Sequence, residues 1–330
     1  MSKKICWITW EDHRRSIELA REIGGSYYFI DVSEIAYIKY FLKALKTVSI
    51  ILKNRKGIVI VQNPSRILAA LASLMKLIFG FPLIVDRHTN FRLEKGATLN
   101  PAEWFVIICS EFSLKVADLT IVTNDFLKEL VIKKGGRALV LHDKMPKIEV
   151  PKKKVDLPSG SNILFVCTFA PDEPFSEVIS SARILGSDFN IHITGNYKKA
   201  GLETSASSLP ENVHLLGFVS NEDYEAHMYS CDVILVLTTA EWVIVCGGYE
   251  AVALGKPLIT SNTKALKEFF QGKALHTNSD ACSIAEAIRI ACEDNTVHST
   301  NIQDFYILEE EVWQAQWERF LEVLASLGRS

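Results

Sequence analysis

The segment CGGYEAVALGKP, from Cys246 to Pro257, combines residue types that can bind a phosphate and a diol. It follows a strand-like run, DVILVLTT, and its pattern predicts a helix that Gly255-Lys256-Pro257 closes. The start of a helix offers unpaired N–H groups and the positive end of a dipole, which suits a phosphate. Glu250 in the first turn can accept hydrogen bonds from a vicinal diol such as a ribose. Together, phosphate and diol indicate a nucleotide.

Two explanations fit the glycine pair Gly247 and Gly248 in this segment. Because glycine has no side chain, another molecule can approach the backbone closely at these positions. Alternatively, the glycines make a tight turn, and Glu250 only favours the start of the helix. The spacing of the residues does not separate these two interpretations.

A second set of polar residues follows the strand-like run PLIVD (82–86). His88 lies just past this run, at the edge where doubly wound sheets hold their ligands. A histidine there can move a proton near neutral pH, and Asp86 on the same face can steady it. Asn90 could add a polar contact. The alternative is a histidine whose hydrogen bonds are satisfied within its own loop.

The run His13-Arg14-Arg15 follows the first strand-like run and opens a helix. Basic residues are unfavourable at the positive end of a helix dipole. This favours contact with a phosphate or an acceptor over a solvated first turn. Trp10, which ends the preceding strand, is grouped with His13 and Arg14 as a candidate acceptor-side residue.

The composition is that of a globular protein, with 330 residues, 48% hydrophobic and 23% charged, a length typical of two domains. The seven cysteines and eight histidines are scattered without the spacing of a zinc site, and no Asp-x-Asp pair occurs. We therefore expect no metal and no cofactor. The cysteine pattern and the absence of a signal-peptide pattern predict a cytoplasmic protein.

Short apolar runs alternate with amphipathic helical segments along the whole chain, and this pattern occurs twice. It predicts an α/β fold with two doubly wound, Rossmann-like domains of parallel sheet. The segment 145–161, with three prolines and three consecutive lysines, is typical of a linker. We expect an N-terminal domain over 1–150, a second domain over 151–306, and a helix over 307–330 that packs back on the first domain. The ligand-binding edges would face an interdomain cleft.

The most apolar stretch, residues 67–85, is interrupted by Lys76, Gly80 and Pro82, so it predicts a buried helix, a turn and a strand rather than a membrane span.

The charge is unevenly distributed along the chain: the net charge is +8 over residues 1–150 and −11 over residues 151–330. Four lysines with helical spacing form a basic face that could bind an anionic membrane surface or be merely solvated: Lys39, Lys43, Lys46 and Lys53. Nucleic acid is disfavoured because the second half is acidic.

Several segments together resemble retaining glycosyltransferases of the GT-B fold, close to family 4. TTAEWVIVCGGYEAVALGKPLITS (238–261) resembles their donor-site segment, with Glu250-Ala251 and Gly255-Lys256-Pro257 matching well. VDRHTNF (85–91) resembles the Asp-x-His segment of the first domain, and LLGFVSNEDYEAHMYSCDV (215–233) resembles the run before the donor strand. The resemblance implies that Glu250 binds the ribose and that the preceding loop contacts the diphosphate and the donor sugar.

The sequence departs from the family pattern at two places. Glu241 and Glu250 are separated by eight residues instead of seven, so Glu241 is shifted or Thr239 takes its role. Asp172 and Glu173 stand where the family has basic residues for the diphosphate. The compensating cation would come from elsewhere, and Lys198, after a strand end, is the candidate.

The resemblance implies a metal-independent glycosyltransferase for cell-surface polysaccharide assembly. It would move a sugar, with retention, from a nucleotide diphosphate sugar to a glycan or lipid-linked acceptor. The expected donor-binding residues are Gly247, Gly248, Tyr249, Glu250, Glu241, Thr239 and Lys198. The expected catalytic residues are His88 and Asp86. The departures leave two alternatives open: a non-catalytic subunit of a glycan-assembly complex, and a sugar-nucleotide epimerase. The expected location is the cytoplasm, and peripheral attachment to the inner face of the membrane is left open.

Overall fold

The structure is a computed structural model of the chain, and it describes residues 4–33, 35–63, 65–88, 101–151, 153–202 and 209–329. The chain divides into two compact units. The first consists of Met1–Lys144 with Val312–Ser330, and the second consists of Met145–Glu311.

The first unit contains a six-stranded parallel sheet of order β2-β1-β3-β4-β5-β6. Its strands are β1 (Ile5–Thr9), β2 (Ser26–Phe29), β3 (Ile58–Gln62), β4 (Leu83–Asp86), β5 (Leu119–Val122) and β6 (Ala138–Val140). Its helices are α1 (Arg14–Glu22), α2 (Ala36–Asn54), α3 (Arg66–Phe79), α4 (Pro101–Val116) and α5 (Asp125–Lys133). The chain reverses its direction across the sheet between β1 and β3, and such reversals are where open α/β sheets bind ligands.

The second unit repeats this plan, with strand order β12-β11-β10-β7-β8-β9. Its strands are β7 (Ser161–Phe165), β8 (Phe189–Thr194), β9 (Val213–Gly217), β10 (Val233–Val236), β11 (Leu258–Ser261) and β12 (Leu275–Thr277). Its helices are α6 (Phe175–Leu185), α7 (Asn221–Ser230), α8 (Cys246–Ala253), α9 (Lys264–Phe270) and α10 (Ala281–Glu293). Here the reversal lies between β7 and β10.

The predicted fold class is confirmed, because both sheets are parallel and the apolar runs form the central strands. These strands are buried on both faces, as β3, β4 and β10 show, since every residue in them is buried. Strand β12 was not predicted, because its three residues, LHT, are too short for a strand pattern.

The last helix, α11 (Asn295–Arg329), ends on the first unit. Trp313, Trp317, Phe320 and Leu324 are buried in one cluster with Trp7 of β1. The helical spacing of these side chains therefore serves packing, as predicted.

Two expectations about the first unit need correction. The helix predicted as buried within 67–85 is only half buried, because Leu77 and Ile78 of α3 are 63% and 66% exposed. Lys43 does not belong to a solvent-facing basic surface. It is buried, and its Nζ donates a 2.7 Å hydrogen bond to the carbonyl oxygen of Trp10. None of the described helices is both long and apolar enough to cross a membrane.

Three histidines meet on one side of the second sheet. His192 of β8 stands beside His214 of β9, with ring centroids 4.8 Å apart, and His227 of α7 lies 6.5 Å away. The Nε2 of His192 is 2.9 Å from the Oδ1 of Asn162. Burial, with smaller effects of the two neighbouring imidazoles, lowers the pKa of His192 to about 4.

We predict that this cluster makes the second unit acid-sensitive. Below the ordinary pKa of 6.5 the unfolded chain binds a proton that folded His192 refuses until about pH 4. The free energy of unfolding should therefore fall as the pH drops from 6.5 to about 4, by up to about 3 kcal/mol for this residue. His192→Gln, which keeps a polar partner for Asn162, should unfold in denaturant with a weaker dependence on pH. His142→Gln is the control, and an unchanged slope in His192→Gln would contradict the prediction.

Candidate functional site

In the second unit, the loops after β7 and β10 lie side by side, because these two strands are neighbours in the sheet. The loop after β10 leads into α8. The residue before α8, Val245, is extended and makes no side-chain capping hydrogen bond. The start of α8 is thus a helix N-terminus without a capping side chain, which is the kind of site that binds a phosphate.

Packing explains the two glycines at the start of α8. A Cβ at Gly247 would lie 3.0 Å from Val166 and 3.2 Å from Val236, and a Cβ at Gly248 would lie 3.1 Å from Phe270. Both residues are helical, so no tight turn requires them. Glycine lets the helix start approach the sheet more closely than any side chain would permit.

Consecutive residues of α8 take opposite roles because successive side chains point to different sides of a helix. Tyr249 is fully buried, and its ring packs 5.2 Å from that of Phe269. The structure thus places Tyr249, which we expected to bind the donor, in the hydrophobic core. Glu250 is partly exposed, and its Oε2 accepts a 2.6 Å hydrogen bond from the hydroxyl of Tyr224 on α7. This contact fixes the orientation of the carboxylate.

The carboxylates after β7 bind the chain's own donors. Glu173 accepts 2.8 Å hydrogen bonds from the backbone N–H groups of Thr168 and Ala170. Between these two residues lies Phe169, whose φ of 59° is in the left-handed region that costs a bulky residue energy. Glu173 thus bridges both sides of a strained residue and stabilises the loop.

Asp172 joins this loop to the end of β10. Its Oδ2 accepts a 2.7 Å hydrogen bond from the hydroxyl of Thr238. Its backbone oxygen accepts hydrogen bonds from the N–H of Thr239, at 2.7 Å, and from the Thr239 hydroxyl, at 3.1 Å. The structure therefore brings together Asp172 and Thr239, which lie 67 residues apart in the sequence.

The two remaining donor-side candidates stand on other segments. Glu241 is exposed, and its Oε2 accepts a 3.0 Å hydrogen bond from the backbone N–H of Lys264, the first residue of α9. A carboxylate at this position stabilises the start of a helix. Lys198 is exposed on a 3-10 turn, Tyr197–Ala200, directly after β8.

In the first unit, a buried ionic cluster lies at the carboxyl ends of β4 and β6. The Nε of Arg15 is 2.9 Å from the Oδ1 of Asp86, and its Nη1 is 2.6 Å from the Oδ1 of Asp143. Burial alone would raise the pKa of Asp86, but the charge of Arg15 overrides this effect and lowers it to about 2. Asp143 was missed in the sequence; its position just after β6 (Ala138–Val140) is the signal that could have found it.

His88 lies against this cluster. Its Nδ1 is 3.6 Å from the Oδ2 of Asp86, and its ring centroid is 4.3 Å from that of His13. His88 is 7% exposed, and neither ring nitrogen has a hydrogen-bond partner among the residues that the structure describes. Burial and the neighbouring His88 lower the pKa of His13 to about 4. The predicted pair of His88 and Asp86 is therefore close in space, and His13 joins it.

The other acceptor-side candidates differ in their surroundings. Trp10 is buried, and its Nε1 donates a 2.9 Å hydrogen bond to the hydroxyl of Thr47. Arg14 is partly exposed and lies 3.9 Å from Glu18. Asn90 lies outside the described residues. Within the described ranges, no group of three or more histidine, cysteine or carboxylate side chains is arranged to hold a metal ion.

Comparisons with known proteins agree with this architecture. Residues 160–294 match the family described as Glycosyl transferases group 1. A search of curated proteins found no match. Three solved structures illustrate the structural similarity. HepE from Anabaena, in complex with UDP-glucose, is 13% identical, with a TM-score of 0.74, covering 98% of this chain and 99% of that one.

Sucrose-phosphate synthase from Thermosynechococcus elongatus is 15% identical, with a TM-score of 0.75 and the same coverage of 98% and 99%. A glycosyltransferase from Rickettsia africae is 12% identical, with a TM-score of 0.67 and 98% of both chains covered. At these identities the likeness shows the fold, which is GT-B. The predicted resemblance is therefore confirmed, and the matched family region contains both β7 and α8.

The burial of Arg15 gives a stability prediction. Arg15→Met would leave Asp86 and Asp143 buried without their cation, and should lower the free energy of unfolding by about 3–5 kcal/mol. The matched control is Arg14→Met, which removes a half-exposed pair and should cost no more than about 1 kcal/mol. Denaturant unfolding measures both values. Equal losses in the two variants would show that the buried pairing does not stabilise the unit.

Proposed function

We propose that this protein transfers a sugar, with retention, from a nucleotide diphosphate sugar to a glycan or lipid-linked acceptor. The observation that carries the proposal is the start of α8. There, a helix N-terminus without a capping side chain lies one turn from an oriented carboxylate, Glu250. A diphosphate fits the helix N-terminus, and a ribose diol fits the carboxylate of Glu250. The match of residues 160–294 to Glycosyl transferases group 1 supports this assignment.

The second unit would bind the donor. HepE has been solved with UDP and with UDP-glucose, so uridine diphosphate sugars are the first donors to test. Thr239 and the loop of Asp172 would border the phosphates. Because Glu173 and Glu241 already bind backbone N–H groups of the chain itself, part of their charge is offset within the protein.

The first unit would bind the acceptor, and its chemistry would come from His88. A buried imidazole can orient a hydroxyl or take up and release a proton. Asp86, held ionised by Arg15, keeps a negative charge beside that ring. No protein nucleophile is needed in this scheme, because the leaving phosphate can itself assist the attacking acceptor.

A second candidate is a non-catalytic subunit that binds nucleotide sugars within a glycan-assembly complex. One observation favours it: two carboxylates, Asp172 and Glu173, occupy the loop after β7 where the resemblance implies cations. The two candidates differ in a direct assay. The non-catalytic subunit would bind nucleotide sugars but would neither transfer the sugar nor hydrolyse the donor, whichever acceptor is added.

The remaining parts of the proposal concern conditions and location. Transfer should persist in the presence of a chelator, because the sequence contains no Asp-x-Asp pair. We place the reaction in the cytoplasm and within cell-surface polysaccharide assembly. The scattered cysteines, without paired spacing, are consistent with a reducing compartment.

We predict that Glu250→Ala weakens binding of uridine diphosphate about 10- to 100-fold, the effect of losing one or two charge-assisted hydrogen bonds. Glu250→Gln should lose less, because its amide can still accept from Tyr224. Calorimetric titration measures both affinities. Glu268→Ala, an exposed carboxylate on α9, is the control. An affinity unchanged in Glu250→Ala, for every nucleotide that binds the wild type, would rule out the ribose role.

His88→Ala should reduce transfer, or donor hydrolysis, by about 100-fold or more, as expected for one orienting or proton-transferring group. Affinity for uridine diphosphate should stay within about twofold, since the proposed nucleotide site belongs to the second unit. His142→Gln is the control. Wild-type turnover at saturating donor would make His88 structural, and lost nucleotide affinity would contradict the division of roles between the units.

A further inference from the structure

An exposed apolar surface extends over three helices of the first unit: α2, α3 and α4. We call it the α2–α4 face. Its large apolar side chains are each between 39% and 66% exposed: Ile38, Phe41, Leu45, Leu52, Leu74, Leu77, Ile78, Trp104, Phe105 and Ile108. Single exposed apolar side chains are ordinary, but a continuous group of this size marks an interaction site.

The spacing of these side chains places them in continuous rows. On α2 they follow at steps of three, four and seven residues, which keeps them on one side of the helix. Helix α3 packs against both α2 and α4, so the rows are neighbours. Arg55, just after α2, lies over the ring of Phe79 at the end of α3, at 5.4 Å.

These exposed rows are additional to the hydrophobic core. The opposite sides of the same helices already supply it, through residues such as Ile51 of α2 and Leu68 and Ala72 of α3, which are all fully buried. The fold of the first unit therefore does not require apolar residues on the outer side. Their presence there points to an apolar partner.

The charge around the face identifies the chemistry of that partner. From Ile35 to Val85 the sequence contains no aspartate or glutamate and eight lysines or arginines. Four of these cations are exposed at or beyond the C-terminal half of α2: Lys46, Lys53, Arg55 and Lys56. On α2 and α3 the apolar side chains are bordered by cations without a carboxylate, while α4 adds Glu103 and Glu111. Apolar side chains beside such a cationic cluster match the acyl region and anionic headgroups of a bilayer. A symmetric dimer through this face would instead bring the two cationic borders together.

We propose that the α2–α4 face inserts into the surface of a bilayer that contains anionic lipids. The apolar rows would lie at the boundary of headgroups and acyl chains, with Lys46, Lys53, Arg55 and Lys56 on the headgroups. The sequence suggested membrane binding through the basic face of one helix, with Lys43 as a member. In the present proposal three helices contribute, Lys43 takes no part, and the inserted apolar side chains supply much of the binding free energy. The membrane-binding proposal does not depend on the proposed sugar transfer, so an experiment can contradict either one without affecting the other.

Flotation of the full chain with vesicles tests the proposal. The protein should float with phosphatidylcholine vesicles that contain about 30% phosphatidylglycerol, and much less with phosphatidylcholine alone. Raising NaCl from about 0.05 to about 0.5 M should weaken binding without abolishing it, because screening acts on the charges and not on the inserted apolar groups. Complete release by salt, or equal binding to both vesicle types, would overturn the proposal.

Two pairs of variants separate the apolar and ionic contributions. Leu77→Ser with Ile78→Ser should reduce vesicle partitioning about tenfold or more, as should Lys46→Glu with Lys53→Glu. The matched controls are Ile132→Ser with Ile307→Ser, and Lys133→Glu with Lys154→Glu, which change exposed residues outside the face. Because all these positions are exposed, the variants should fold like wild type. Equal losses in variants and controls would contradict the assignment of the face.

Trp104 reports insertion directly. Vesicles with brominated acyl chains should quench its fluorescence, and Trp104→Phe should remove most of that quenching, because the buried tryptophans, such as Trp7 and Trp313, stay out of reach. Light scattering supplies the remaining test. A stable dimer in solution that Leu77→Ser with Ile78→Ser dissociates, together with an absence of vesicle binding, would identify the partner as a second copy and overturn the lipid proposal.

Discussion

The parallel arrangement of the strands governs where chemistry occurs in this protein. Each strand must be followed by a crossover before the next parallel strand can pair, so all carboxyl ends of a sheet meet at one edge. In the first unit this edge collects Asp86, His88 and Asp143, which are distant in the sequence. In the second it brings the loop of Asp172 beside the end of β10. If the neighbouring strands β7 and β10 were antiparallel, they would end at opposite edges, and the second set could not form.

Buried and half-buried charges at these edges are balanced inside the chain before any ligand binds. Arg15 is paired with two carboxylates, and Glu173 binds two backbone N–H groups beside the strained Phe169. An unpaired buried charge would cost several kcal/mol, roughly as much as a domain can lose and remain folded. Under the proposed function, the start of α8 and the imidazole of His88 would then contact the substrates.

Helices α2 and α3 show how one amphipathic pattern can serve two surfaces. A helix in contact with a sheet needs apolar residues on one side only, in a stripe of about 100°. These two helices carry apolar residues on the opposite side as well, separated by cations and never by carboxylates. The stability of the first unit and the chemistry of its outer surface are thus encoded in the same segment, but in different rows of residues.

The sequence by itself determined the architecture and indicated the segment of the proposed donor site, because continuous apolar strands and helical periods are local patterns. It also indicated Glu250, His88 and Asp86, since each follows or ends a strand-like run. The three-dimensional packing decided the rest. The need for glycine at 247 and 248 comes from close contact with Val166, Val236 and Phe270. The spacing of residues in the sequence does not show these contacts. The same holds for Lys43, turned inward to Trp10, for Tyr249, placed in the core, and for Asp143, paired with Arg15 across 128 residues. These roles depend on which side of an element meets the neighbouring one, and only the tertiary structure settles that.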